Sequence, residues 1–285
     1  MHLIDTLLTA APLGPTADLD TFARRFAELP EDPAAAALLG GLHSSHPAWA
    51  FGAGYQAALR RLIPGHQGFG ALCVTEAGGN HPRAIETTAA EGRLRGAKRF
   101  VLLGERADTL YVLGQVPSEG PRVDLRLFPV ASGSAGMEFA PGHSPILPEL
   151  PHCALTLDTP APPPLPGDGW GDYVRPFRTL EDLYVVLALS GHLVRICREY
   201  ALPESELEGL LPSVLALLEA TRMEADSKAL HRALGALLPA AVLAFGGLSW
   251  ERVDPAVRSR WERDQRILAV GGAARRRRLE RARIR

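Results

Sequence analysis

Residues 68–116 read GFGALCVTEAGGNHPRAIETTAAEGRLRGAKRFVLLGERADTLYVLGQV. Near its end Leu110, Val112 and Val116 alternate with Tyr111, Leu113 and Gln115. That spacing sends successive side chains to opposite faces of a strand. Asp124-Leu125-Arg126-Leu127 and Leu155-Thr156-Leu157-Asp158 keep the same rhythm, and clusters of Gly, Pro and Ser separate the runs. From Gly68 to about Asp158 the pattern predicts antiparallel strands in a sandwich or barrel.

The period changes on both sides. Residues 1–67 are rich in Ala and Leu, and Leu19, Phe22, Ala23, Phe26 and Ala27 fall on one helical face, with Asp18 or Asp20 available as a cap. A stiff Pro-rich stretch, Pro160 to Gly169, marks the other boundary. Beyond it, Thr179 with Asp182 and Ser205 with Glu208 read as capping boxes opening two helices. Leu183, Val186, Leu187, Leu193, Val194 and Cys197 share a face of the first, and Pro212 shifts the start of the second. A third helix is predicted over about 225–245, and a last one from about Pro255 into the Arg-rich end. Three regions follow: helical 1–67, β-rich 68–170 and a helical bundle 171–285. The class is α+β.

Bulk chemistry narrows the function. A chain of 285 residues with 46% hydrophobic residues can bury a sizeable core. Lys plus Arg total 31 against 32 for Asp plus Glu, a balance that favours neither nucleic acid nor a membrane surface. Cys73, Cys153 and Cys197 are far apart, which excludes a cysteine zinc site and suits a reducing, cytoplasmic setting. The first residues carry no basic region of the secretory kind, and the run from Ala233 to Leu248 falls short of the roughly 20 residues that span a bilayer. His43 and His46 lack the companions of a metal site, and Gly78-Gly79 lacks the context of a phosphate loop.

The blocks Val74-Thr75-Glu76 and Gly96, Lys98, Phe100, Gly104, followed by Ala107, resemble the middle β-domain of the acyl-CoA dehydrogenase family, whose members read roughly TEPGAGSD and NGxKxWITNG. Weaker similarities flank them: Gly54-Tyr55-Gln56 through Pro64, Leu127-Phe128-Pro129-Val130, His152 to Asp158, and Arg263-Asp264 with Ile267-Leu268. The resemblance implies a helical N-terminal region, a central antiparallel β-barrel and a C-terminal helical bundle. It also implies an FAD-dependent oxidoreductase that acts on the CH–CH bond of an acyl thioester. An acyl-CoA substrate, an electron-transfer flavoprotein as acceptor and a homo- or hetero-oligomer belong to the same expectation.

By that resemblance Val74, Thr75, Phe100 and Leu102 lie at the flavin. Phe100 stands for the family's Trp and keeps an aromatic platform, whereas Leu102 stands where a Thr donates a hydrogen bond and cannot donate one. The family's usual base, the Glu of an EGT segment, corresponds to Gly271. Some relatives carry the base on the first helix of the C-terminal region in a segment reading LER. Here that segment is Leu180-Glu181-Asp182-Leu183, so Glu181 is the candidate base; its alternative reading is a first-turn carboxylate favoured by the helix dipole. Arg198 is the weak counterpart of the family's pyrophosphate-binding arginine. Seven arginines between Gly271 and Arg285 suit either phosphate contact or a solvated terminal helix. The departures from the pattern also fit a second reading, a non-catalytic subunit paired with a complete homologue.

Overall fold

Alternation in the central stretch produces one seven-stranded sheet, seen in a computed structural model that describes residues 3–11, 13–16, 18–118 and 123–284. The strands are β1 (Gly70–Cys73), β2 (Thr88–Ala90), β3 (Arg93–Leu102), β4 (Thr109–Val116), β5 (Asp124–Ala131), β6 (Met137–Pro141) and β7 (His152–Pro160). Their order is β1-β4-β2-β3-β7-β6, with β5 on β4. Two features correct the expectation of an antiparallel barrel. Among the described residues no pairing closes the sheet, and β4 runs parallel to both β1 and β2. The sheet is open and mixed.

Burial follows each strand's position. In β7, Cys153, Leu155, Leu157 and Thr159 are buried and their neighbours are not, as expected of a strand with one covered face. Residues Leu110 to Gly114 of β4 are all buried, because this strand is covered on both faces and its alternation has no solvent side. Gly96 in β3 answers a packing need. A Cβ there would run into the backbone and hydroxyl of Thr87.

The chain divides into two compact units. One holds Met1–Leu62, Pro145–Glu149 and Arg178–Arg285, and the other Ile63–Ser144 and Leu150–Phe177. The sheet belongs to the second. So does the Pro-rich stretch, which is no free linker: Ala161 N–H bonds to Gly92 carbonyl at 2.9 Å and Leu165 N–H to Leu127 carbonyl at 2.8 Å.

The helical unit contains α1 (Leu3–Thr9), α2 (Leu19–Ala27), α3 (Pro33–Leu42), α4 (Pro47–Leu62), most of α5 (Arg175–Glu199), α6 (Glu204–Ala220), α7 (Lys228–Gly246), α8 (Pro255–Asp264) and α9 (Gly272–Arg283). Asp18 caps α2 by accepting from Thr21 N–H at 2.8 Å, and Phe22 stacks on Trp49 with centroids 5.3 Å apart. α5 is buried on every side from Leu183 to Cys197, so its amphipathic reading gives way to that of a core helix. Gly41 allows this packing, since a Cβ there would overlap the Ala188 carbonyl.

Three helix boundaries move. Thr179 caps nothing, because α5 continues a π-helical turn, Gly169–Val174, and Thr179 lies buried inside the helix. α6 starts after Pro203 without a side-chain cap, ahead of Ser205, and Pro212 sits within it. The last helix is broken: a 3-10 turn, Gln265–Ala269, and Gly271 in the left-handed region (φ +76°) separate α8 from α9. By length and mean hydropathy (1.5) α7 is apolar enough to cross a membrane. It packs instead along α6 and α9, burying Leu230, Leu234, Leu238, Ala241 and Phe245.

Candidate functional site

In the β-unit the two motif blocks meet. Arg99 N–H donates to the Thr75 carbonyl at 2.7 Å, which holds the end of β1 beside β3. Between Lys98 and Val101 the β3/β7 register shifts. A bulge of this kind re-aims side chains: Lys98 and Val101 turn inward while Arg99 and Phe100 both face solvent. Phe100 takes a φ of +56° and is 72% exposed. Thr75 is partly exposed, whereas Val74 and Leu102 are buried.

A buried ion pair fixes this arrangement. Lys98 Nζ lies 2.5 Å from Glu76 Oε1 and donates to the Leu113 carbonyl, also at 2.5 Å, with side-chain exposures of 0% and 4% for the pair. The Glu76 carboxylate further accepts from Glu86 N–H (2.6 Å), Thr87 N–H (3.2 Å) and the Thr87 hydroxyl (2.7 Å). Burial alone would raise the Glu76 pKa. The Lys98 charge and these donors outweigh it and hold the carboxyl below its ordinary value. Glu76 and Gly79 exchange backbone hydrogen bonds at 2.9 and 3.0 Å, so most donors of the 76–87 loop are spent internally. Among the described residues the N–H groups of Ala77 and Gly78 keep no such partner. The groups available at this surface are therefore the Phe100 ring, the Thr75 hydroxyl and two backbone donors. An exposed aromatic ring and free polar donors are group types that a flat heteroaromatic ring such as flavin can use.

Glu181 lies in the helical unit, in the second turn of α5, so the first-turn dipole reading does not hold. Among the described residues its carboxylate makes no hydrogen bond. Burial, then the neighbouring Asp182 carboxylate, push its pKa up to about 7 against the pull of Arg178, Arg275 and Arg278. Asp182 is raised to about 6, again by burial, although Arg278 Nη2 bonds to it at 2.5 Å and Arg275 Nε lies 3.6 Å away. A cavity of about 380 Å³ opens beside this cluster between α7 and α9, with Asp182 in its wall.

Other predicted residues have structural duties. Arg198 donates to the carbonyls of Leu7 and Ala10 at 3.0 and 2.7 Å and anchors α1. Asp264, fully buried, accepts from Arg263 and from Leu147 N–H at 2.9 Å, while Arg263 also holds Glu149 at 2.8 Å. The segment Pro145–Glu149 is thereby fastened to α8. His46 stands 3.9 Å from Glu149, and among the described residues no cluster could hold a metal ion. Sequence reasoning missed the Glu76–Lys98 pair and the approach of Arg275 and Arg278 to Asp182. The motif match named Glu76 and Lys98, but their apposition spans the turn region between β1 and β3 and leaves no periodic trace.

No protein-family profile matches the chain, and no curated protein sequence matches it significantly. Solved structures do. Butyryl-CoA dehydrogenase from Megasphaera elsdenii superposes with a TM-score of 0.65 at 14% identity, covering 94% of this chain and 90% of that one. The fold is that of the acyl-CoA dehydrogenases. The FAD complex of PigA (TM-score 0.62, 14% identity, 92% and 88% covered) has a similar fold. So does FkbI, from biosynthesis of a methoxymalonyl extender unit (0.61, 15%, 98% and 96%). Within the acyl-CoA dehydrogenase fold, Gly271 sits at the left-handed turn before α9 with open space around it, a conformation that a glutamate adopts only at a cost.

Proposed function

We propose that this chain is an FAD-dependent oxidoreductase that removes hydrogen across the CH–CH bond of an acyl thioester, with Glu181 as the base. The observation that carries the reading is the state of Glu181. Among the described residues its carboxylate makes no hydrogen bond, and burial raises its pKa to about 7, close to the value that lets one group accept and return a proton at neutral pH. Asp182 and the nearby arginines oppose each other in setting that value. The Phe100 ring and the Thr75 hydroxyl would hold the flavin ring, with Val74 and Leu102 forming the apolar floor beneath them. Bound FAD would supply the hydride acceptor. Glu181 would take the proton from the carbon next to the thioester carbonyl, and burial would keep water from competing for it. An electron-transfer flavoprotein would receive the electrons, and the active form would be a homo- or hetero-oligomer.

The test is a Glu181→Gln variant assayed with a series of acyl-CoA substrates and a dye acceptor. The expected result is a chain that folds and takes up FAD but loses about 10²–10⁴-fold in turnover, the usual worth of a general base. Retained turnover removes Glu181 from the mechanism. A second reading, a non-catalytic subunit beside a complete homologue, is favoured by Gly271 and by the inward-turned donors of the 76–87 loop. It requires that the isolated chain bind no FAD and that the flavin appear only on a co-purified partner.

A further inference from the structure

The cavity between α7 and α9 has a lining of mixed character. Leu234, Leu238 and Val242 from α7 and Leu279 from α9 supply apolar surface. Arg275, Arg276 and Arg278 of α9 supply cationic surface. The lining holds one carboxylate, Asp182, paired with Arg275 and Arg278, against three guanidinium groups, which leaves two positive charges.

Arg275 is braced in place. Its Nη2 donates to the carbonyls of Leu268 (2.6 Å) and Val270, and among the described residues its buried Nε makes no hydrogen bond, with Asp182 Oδ1 3.6 Å away. Arg278 is bonded to Asp182, and burial lowers its pKa as it strips water from the guanidinium. Arg276 is exposed and, among the described residues, has no ion-pair partner. Arg278 and Arg275 already hold one carboxylate, that of Asp182, so the guanidinium cluster suits another group of the same shape. At about 380 Å³ the cavity lies within the range of roughly 300–1,000 Å³ typical of small-molecule sites. A neutral apolar ligand would leave the charges uncompensated. A small anion would leave the leucine surface wet.

We propose that this cavity binds a medium-chain carboxylate, with the apolar chain along α7 and the carboxylate on the α9 guanidinium groups. The site adjoins Glu181, whose carboxyl Asp182, Arg275 and Arg278 influence, but binding there needs neither FAD nor a working Glu181. It also gives the arginine run a task other than phosphate contact.

Calorimetric titration of the purified chain with octanoate, 1-octanol and acetate tests it. Octanoate binds once per chain, at least tenfold more tightly than 1-octanol or acetate. Arg276→Glu, at an exposed position that leaves folding intact, weakens octanoate at least tenfold and changes 1-octanol less than twofold. Val242→Trp fills the apolar part of the cavity and weakens both. Octanoate binding no tighter than 1-octanol, acetate binding as tight as octanoate, or an Arg276→Glu chain that binds octanoate like the parent would each overturn the proposal.

Discussion

Replacing Lys98 with Met removes the cation from a fully enclosed carboxylate. Glu76 keeps its bonds from Glu86 N–H, Thr87 N–H and the Thr87 hydroxyl, and the Leu113 carbonyl loses its donor. Removing one partner of a buried pair costs about 3–5 kcal/mol, because the other charge is left uncompensated. Neither side chain reaches solvent, so screening does not reduce that figure. With a urea slope of about 1–3 kcal/mol/M, the unfolding midpoint of the β-unit falls by on the order of 2 M.

The pH dependence sharpens the test. In the parent chain the Glu76 pKa is depressed, so its stabilisation is present above the unfolded value and lost as pH falls through the folded value. Without Lys98, burial dominates and the folded pKa rises above the unfolded one. Stability is then lowest at high pH and recovers as pH falls through the raised value. Urea unfolding followed by far-ultraviolet circular dichroism at pH 8 and pH 5 reads both effects. A Lys98→Met chain within 1 kcal/mol of the parent at pH 8, or one whose deficit does not shrink at pH 5, would refute the reasoning.

Other outcomes follow from the same geometry. Because the folded pKa of Glu181 is raised to about 7, turnover should climb as pH rises through that value, and a pH–rate profile flat from 6 to 8 would contradict its role. The same shift means that the ionised carboxylate destabilises the fold above the unfolded pKa, fully so above about 7. Glu181→Gln should therefore melt higher than the parent at pH 8, with the gap closing toward pH 5. Gly96→Ala places a methyl group against Thr87 and should cost about 1–3 kcal/mol by chemical denaturation. Asp264→Ala deprives Arg263 and Leu147 N–H of their shared acceptor and should cost about 2–3 kcal/mol, with faster proteolysis inside the segment Pro145–Glu149.

The sequence was legible where burial is one-sided and local. The alternation of β7 and the Asp18 cap of α2 appear as the residue pattern implies. Central elements hide their nature. β4 and α5 are enclosed all round, so the alternation of the one and the amphipathic stripe of the other have no solvent face to confirm them. The capping box at Thr179 looked sound because Thr and Asp stand at the right spacing. The helix had already begun at the π turn following Asp168, whose carboxylate accepts from Gly171 N–H. Of the proposed site, Thr75, Phe100 and Glu181 are named from motif positions by resemblance alone. The burial that raises the Glu181 carboxyl left no mark in the motif, and neither did Arg278, which tempers it and meets Asp182 across 96 positions of sequence. Contacts of that span are set by the packing of α9 on α7, not by any local spacing.

The most direct measurement is the visible absorption spectrum of the purified chain, as isolated and after incubation with FAD. The expected result is a bound-flavin band that bleaches anaerobically on addition of a fitting acyl-CoA and persists, unbleached, in Glu181→Gln. A chain that stays colourless with excess FAD, alone and without a partner, would contradict the assignment of an FAD-dependent dehydrogenase and leave the fold as a scaffold.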